Sequence, residues 1–367
     1  MRSRKIIFAG GGTAGHIQPA LAVARLWKKI YPADQIVFLG TSSGLETRLV
    51  PAAGFDLQFI TRVRVPRSLS LDLVRVPGTL RRSISESKNI LKDADLLIGF
   101  GGYVCAPAYL AARSLKVPIV IHEANAKPGW ANRLGARYTE ALAVGTPVTN
   151  GPFSRALITG LPLRDDISSI LTSHRSADEV TWNEIRAKAR RNLGIQSENK
   201  VLLIFGGSQG SQAINNVIAE TRKLFNDRPI TFVHSVGAAN DLPASDDKYL
   251  AFSYIENMAA AYLASDLVIA RSGAITCSEV AAVGKYALFI PLPIGNGEQS
   301  VNADYLVEMG RARVLDQSSF TPTWLLDNIE SMLTLSDHLS DIPNFSDLEA
   351  AEKILALAEH QLLTGER

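Results

Sequence analysis

The chain predicts two α/β domains, each built around a parallel sheet, and three observations carry that reading. Its 367 residues exceed what one hydrophobic core usually organises. Near the start, the apolar run 5–9 stops at Gly10-Gly11-Gly12-Thr13-Ala14-Gly15-His16 and gives way to a helical pattern. The same opening recurs at residues 200–205, followed by Gly206-Gly207-Ser208-Gln209-Gly210-Ser211 and a helix carrying Asn215 and Asn216. A strand that ends in a glycine turn and feeds a helix is the unit from which parallel sheets are built. The boundaries this suggests are 1–160 for the first domain and 161–344 for the second, with a helix over 345–367 packing back on the first.

Composition narrows the class. At 46% hydrophobic and 20% charged residues, the chain reads as a soluble globular protein. No apolar run approaches the roughly 20 residues that span a bilayer. Residues 1–8 are basic and then apolar, which faintly imitates a signal peptide, but glycines begin straight after Ala9, so the run reads as a first strand. Cys105 and Cys277 lie far apart without metal-ligand spacing, and buried free thiols in a reducing cytoplasm are expected.

In the first half, a helix is expected from Pro19 to Ile30, with Pro19 in its first turn. Strand 36–39 follows, then a short helix over 44–50 with Glu46 and Arg48 on its polar side. His16 stands at a helix start beside the flexible turn, where an imidazole can take a proton near neutral pH. The helix N-terminus favours its neutral form, which makes it a candidate general base, although a His there can equally serve as a cap. Strand 95–100 leads into Gly101-Gly102-Tyr103. Strand 118–122 ends in His122-Glu123-Ala124-Asn125, polar groups at a strand's C-terminal end, where doubly wound folds bind ligands. Glu123 is the rival base. Residues 165–192 read as a polar, helical linker, with Arg186, Lys188, Arg190 and Arg191 on a solvated face.

The stretch 266–303 is the most informative. Strand 267–270 stops at Arg271-Ser272-Gly273, a helix carries Thr276, Ser278 and Glu279, and a second strand runs over 287–292. Backbone N–H groups at such a helix start offer an anion site. Glu279 would repel a diphosphate but suits the paired hydroxyls of a ribose. Phosphates on the turn, ribose on Glu279 and sugar hydroxyls on Glu298 and Gln299 describe a sugar-nucleotide site. An ordinary βαβ unit with a solvated Glu is the alternative.

Charge is unevenly spread. From Arg62 to Lys92 stand eight basic residues (Arg62, Arg64, Arg67, Arg75, Arg81, Arg82, Lys88, Lys92) against Asp72 and Glu86, a net +6, which leaves −4 for the rest of a +2 chain. Arginines there alternate with Val and Leu, a pattern that fits an anionic lipid surface or lipid phosphate. Nucleic acid is disfavoured because the stretch has no aromatic residue to stack a base. GGTAGH lacks the G-x-G-x-x-G spacing of nicotinamide enzymes.

These motifs, in this order, resemble the MurG family: GGTAGHIQPALA, FGGYVCAPA, HEANAKPGWAN, GLPLR, FGGSQGSQAIN, YIENMAAAYLASDLVIARSGAITCSE and EQSVNA. The resemblance covers nearly the whole chain. It implies two Rossmann-like domains facing a cleft, the GT-B arrangement. It also implies inverting transfer of N-acetylglucosamine from UDP-N-acetylglucosamine to the 4-hydroxyl of an undecaprenyl-linked muramyl-pentapeptide. Carried over, Thr13, Ala14, Gly15, Asn125, Arg164, Ser208, Ile255, Ala274, Ile275, Thr276, Cys277, Ser278, Glu279 and Gln299 contact the donor. His16 and Glu123 are the catalytic candidates, and Tyr103, Arg75, Arg81 and Arg82 face the acceptor or membrane. No metal or other cofactor is expected, since no Asp-x-Asp pair stands at a strand end. The implied location is the cytoplasmic side of the cell membrane, held peripherally on anionic lipid, with other cell-wall synthesis proteins as partners. Three positions depart from the family pattern: Leu161 where Asn is usual, Glu298 where Gln or His is common, and Cys105 where Ser is frequent. A related UDP-sugar enzyme, such as an epimerase or a small-aglycone transferase, and a non-catalytic nucleotide-sugar-binding subunit stay open on the residues alone.

Overall fold

The computed structural model describes residues 2–63, 76–207, 209–225, 227–293, 297–339 and 343–365. The chain divides into two compact units, Met1–Arg164 with Asp347–Arg367, and Asp165–Ser346.

The first unit holds a seven-stranded sheet among the described residues. Its strands are β1 (Lys5–Ala9), β2 (Gln35–Gly40), β3 (Asp56–Phe59), β4 (Leu96–Gly99), β5 (Ile119–Glu123), β6 (Leu142–Val144) and β7 (Leu157–Ile158). Their order is β3-β2-β1-β4-β5-β6-β7, every pair parallel. Helices cover both faces, so the central strands carry continuous apolar runs instead of alternating ones. Ile7, Ala9, Val37 and Leu97 pack on the helix Cys105–Leu115 side. Ile6, Phe8, Phe38 and Ile98 share the opposite core with Trp27 of helix Ala14–Ile30 and with Ile354, Leu355 and Ala358 of helix Ala350–Gly365. The Tyr31 hydroxyl donates to Glu359, tying those two helices together.

The second unit has six parallel strands among the described residues: β8 (Lys200–Phe205), β9 (Ile230–Ser235), β10 (Tyr249–Phe252), β11 (Leu267–Ala270), β12 (Tyr286–Phe289) and β13 (Ala312–Val314). The order is β10-β9-β8-β11-β12-β13. In each unit the strand order reverses direction once at the centre, between β1 and β4 and between β8 and β11. Crevices for ligands open at such switch points, beyond the strands' C-terminal ends.

Several expectations need correction. Helix Ala14–Ile30 begins directly off the glycine turn, because the Thr13 carbonyl already accepts from the N–H groups of His16 (3.2 Å) and Ile17 (3.3 Å). Pro19 therefore lies inside the helix and not in its first turn. Glu46 is fully buried instead of facing solvent. The short edge strands β3 and β13 and the helix Pro322–Leu339 lacked a readable signal. Residues 165–192 form two helices, Asp165–Ser176 and Glu179–Asn192, the second capped by the Asp178 side chain accepting from Thr181 N at 2.8 Å.

Arg186 and Arg190 are not a solvated face. Asp266, at the foot of β11, accepts from Arg186 Nη2 at 2.6 Å and from Val201 N at 2.7 Å, with Arg190 at 3.7 Å. Arg190 also donates to the carbonyls of Ser197 (2.9 Å) and Asn199 (2.6 Å). One buried carboxylate thus fastens helix Glu179–Asn192 to the two central strands. Removing it would take the carboxylate partner from two guanidinium groups beside the sheet. Asp266→Ala is expected to cost about 3 kcal/mol, seen as a lower urea midpoint for the second unit. A midpoint equal to that of the parent would mean the arginines are satisfied by water.

Candidate functional site

At the β1/β4 switch point two glycine turns pack backbone against backbone. A Cβ on Gly102 (φ +86°) would lie 2.3 Å from the Gly11 carbonyl oxygen, so only glycine permits the approach. His16 projects from the first turn of helix Ala14–Ile30, and its Nδ1 lies 3.2 Å from the Gly11 carbonyl and 3.2 Å from Thr13 Oγ1. A carbonyl can only accept, so the carbonyl contact assigns the proton to Nδ1 and leaves Nε2 as the unprotonated nitrogen of the neutral ring. Nε2 faces Gly101, where an added Cβ would stand 3.2 Å from it and 3.4 Å from Asn132 Nδ2. Tyr103 lies against Gly12, and the Arg62 guanidinium stacks 4.6 Å from the Tyr103 ring centre.

Two carboxylates brace this edge. Glu123 is buried, and both its oxygens are engaged: Oε1 accepts from Asn125 N (2.9 Å) and Nδ2 (3.0 Å), Oε2 from Gly129 N (3.0 Å) and Asn132 Nδ2 (3.0 Å). Asn132 also accepts from the Tyr109 hydroxyl at 2.8 Å. These four bonds make Glu123 an anchor for the loop 124–130. Glu46 was missed as a site residue. Burial pushes its pKa up, but bonds from the backbone N–H groups of Gly12 and Thr41 and from the Tyr103 hydroxyl outweigh this and hold the carboxyl below the usual carboxylate range. His122 donates through Nε2 to the Gly160 carbonyl (3.0 Å), and burial lowers its pKa to about 4, so it is neutral near pH 7.

The β8/β11 switch point carries a different chemistry. Helix Ala274–Ala282 starts at Gly273 without a side-chain cap, leaving its first N–H groups directed beyond the strand ends. Arg271 is buried beside it and donates to the carbonyls of Ile290 and Pro291 (both 3.0 Å), to Ser211 Oγ (2.7 Å) and to Gln317 Oε1 (2.6 Å). All four acceptors are neutral, and burial alone lowers the guanidinium's pKa. Glu279 is buried and accepts from the Tyr262 hydroxyl at 3.0 Å. Two oxygens with about four acceptor sites can serve that hydroxyl and a ribose as well. Gln299 braces the neighbouring loop: its Oε1 accepts from Leu292 N (3.0 Å) and its carbonyl from Ser272 Oγ (2.7 Å). Asn215 is likewise committed, donating to the Val236 carbonyl (2.9 Å) and meeting His234 Nε2 at 3.1 Å.

Residues 6–144 match the glycosyltransferase family 28 N-terminal domain, and residues 201–355 match the family 28 C-terminal domain. The UDP-N-acetylglucosamine–N-acetylmuramyl-(pentapeptide) pyrophosphoryl-undecaprenol N-acetylglucosamine transferase of Mycobacterium sp. (strain KMS) is 46% identical over 336 residues, covering 90% of this chain and 87% of that one. The protein of the same name from Thermobifida fusca (strain YX) is 40% identical over 377 residues, covering 99% and 96%. Acinetobacter baumannii MurG superposes with a TM-score of 0.68 at 27% identity, covering 97% of this chain and 99% of that structure. The chain belongs to the MurG family.

The MurG-derived expectations map unevenly onto these two edges. Thr13, Ala14, Gly15, His16, Tyr103, Asn125 and Glu123 gather at the first. Ala274, Ile275, Thr276, Ser278, Glu279 and Gln299 gather at the second. The Cys277 thiol is buried, and burial pushes its pKa well above the ordinary value. The Ile255 side chain is buried too. Leu161, a departure from the MurG pattern, packs on Gly145, where a Cβ would lie 2.8 Å from its Cγ. Arg164 is half-buried at the end of the first unit. Arg81 and Arg82 are exposed on helix Val76–Leu91, and Arg82 pairs with Glu86 at 2.9 Å. Arg75 and Ser208 lie outside the described residues.

The depressed pKa of Glu46 has a measurable sign. Its contribution to stability is complete above the ordinary Glu value of about 4.3 and is lost as pH falls through the lower folded value. The parent protein should therefore lose more stability below about pH 4 than Glu46→Gln does. Denaturant titrations across that window check this, and parallel losses in both proteins would refute it.

Proposed function

We propose that the protein transfers N-acetylglucosamine from UDP-N-acetylglucosamine to the 4-hydroxyl of undecaprenyl-diphosphoryl-N-acetylmuramyl-pentapeptide, with inversion at the anomeric carbon. The observation that carries this reading is the division of chemistry between the two switch points: the His16 imidazole on the glycine turn of the first, and a helix start without a side-chain cap beside buried Arg271 and Glu279 on the second. Membership of the MurG family supports it.

In this mechanism the second unit holds the donor. N–H groups at the start of helix Ala274–Ala282 meet the diphosphate, and Arg271, whose four acceptors described above are all neutral, supplies positive charge. Glu279 accepts the ribose hydroxyls. Arg164 and Ser208 are assigned to the leaving diphosphate as well. The acceptor oxygen attacks the anomeric carbon, UDP departs with the electron pair of the broken bond, and His16 Nε2 takes the hydroxyl proton. The enzyme reaches its lipid substrate from the membrane surface. No helix of the described residues is long and apolar enough to cross a bilayer, and the exposed Arg81 and Arg82 fit anionic headgroups.

The direct test is UDP release from UDP-N-acetylglucosamine, expected only when the lipid-linked muramyl-pentapeptide is added. Release at the same rate without it would reject the transferase reading. His16→Ala should lower turnover about 100-fold or more while leaving UDP affinity little changed. Glu279→Ala should weaken UDP and UDP-N-acetylglucosamine equally, by about 2–3 kcal/mol in calorimetric titration. Unchanged UDP affinity would remove the ribose role. Replacing Arg81 and Arg82 with Gln should reduce sedimentation with anionic vesicles and spare UDP binding. Equal sedimentation would move the membrane contact elsewhere.

A further inference from the structure

Glu46 lies 34 residues from the glycine turn in sequence, yet its Oε2 accepts from Gly12 N at 3.0 Å. Its Oε1 accepts from Thr41 N (3.0 Å), Thr41 Oγ1 (3.1 Å) and Tyr103 Oη (3.1 Å). Room for this carboxyl is made by glycines. A Cβ on Gly44 would lie 1.9 Å from Oε2, one on Gly40 2.7 Å from Cγ, and one on Gly11 3.2 Å from Oε1.

The bond to Gly12 bears on His16 through a single rigid body. Gly12 N–H and the Gly11 carbonyl belong to one peptide plane, which is trans, so they point in opposite directions. Glu46 grips one end of that plane, and His16 Nδ1 meets the other end at 3.2 Å. An ionised carboxylate on the N–H side also polarises the amide and strengthens the carbonyl as an acceptor.

We propose that Glu46 is a positioning residue for His16, fixing the Nδ1–H tautomer by orienting the Gly11–Gly12 peptide. This rests on the reading of His16 as the proton acceptor, because that tautomer presents Nε2 as the base. Only a carboxylate meets the requirement. The N–H groups of Gly12 and Thr41 address different oxygens, so a glutamine in either orientation sets its NH2 against a fixed backbone donor.

The test labels the imidazole nitrogens with 15N and records long-range 1H–15N spectra near pH 8, the His16 signal being identified by its loss in His16→Ala. The parent protein is expected to show His16 as the Nδ1–H tautomer. Glu46→Gln is expected to move it largely to Nε2–H, with turnover at least about tenfold lower and the Michaelis constant for UDP-N-acetylglucosamine within about twofold. Thr41→Val, which removes a hydroxyl donor but neither backbone bond, should leave the tautomer unchanged. If Glu46→Gln does not fold, Glu46→Asp serves instead, since its shorter side chain cannot span both N–H groups. An Nε2–H tautomer in the parent, or an unaltered Nδ1–H tautomer in the Glu46 variant, overturns the proposal. A shifted tautomer with unaltered turnover upholds the positioning and overturns His16 as the base.

Discussion

Every strand pair in both sheets is parallel among the described residues, and this constraint decides where the protein can do chemistry. Parallel strands cannot be joined by hairpins, so most connections cross a face as helices, the β9–β10 loop being an exception, and both faces become core. All strand C-termini of a unit then share one edge, where helix N-termini also begin. Polar groups excluded from the two cores collect there. The strand order reverses at β1/β4 and at β8/β11, the points where open α/β sheets direct neighbouring loops apart.

The two switch points use their buried charge differently. In the first unit Glu46 and Glu123 are turned inward, each accepting several bonds from loop N–H groups and amides, so negative charge stabilises backbone geometry. In the second, Arg271 joins the ends of β11 and β12 to Ser211, the cap of helix Gln212–Thr221 that follows β8, through neutral acceptors. The same type of scaffold thus presents a rigid, charge-compensated turn on one side and an electrophilic one on the other.

How much of this was legible in the sequence follows from the range of each interaction. Both glycine turns and the βαβ unit at 266–303 could be read because a tight strand-to-helix turn makes local demands on residue type. Glu46 could not, since two of its partners, Gly12 and Tyr103, stand 34 and 57 residues away and its helix looked amphipathic. Only the three glycines around its carboxyl, at 11, 40 and 44, hinted that a side chain fills that space. Arg186 looked solvated for a similar reason, its partner Asp266 being 80 residues distant. The strands β3 and β13 are short and lie at sheet edges, where burial imposes little pattern. The 62–92 charge cluster was plain in composition, but its direction in space is a property of the fold alone.

Helix Ala350–Gly365 has a consequence for how the chain acquires its structure. It supplies Ile354, Leu355 and Ala358 to the core of the first unit, beside Trp27 and Phe8. The second unit, by contrast, is a single uninterrupted segment. On the ribosome, the second unit's residues all emerge before the helix that seals the first. The first unit must wait with an apolar sheet face only partly covered, by helix Ala14–Ile30, while some 180 residues are translated, about 10–40 s at ordinary elongation rates. The later-encoded unit is therefore free to reach its native state earlier, and the interval of exposure falls on the first.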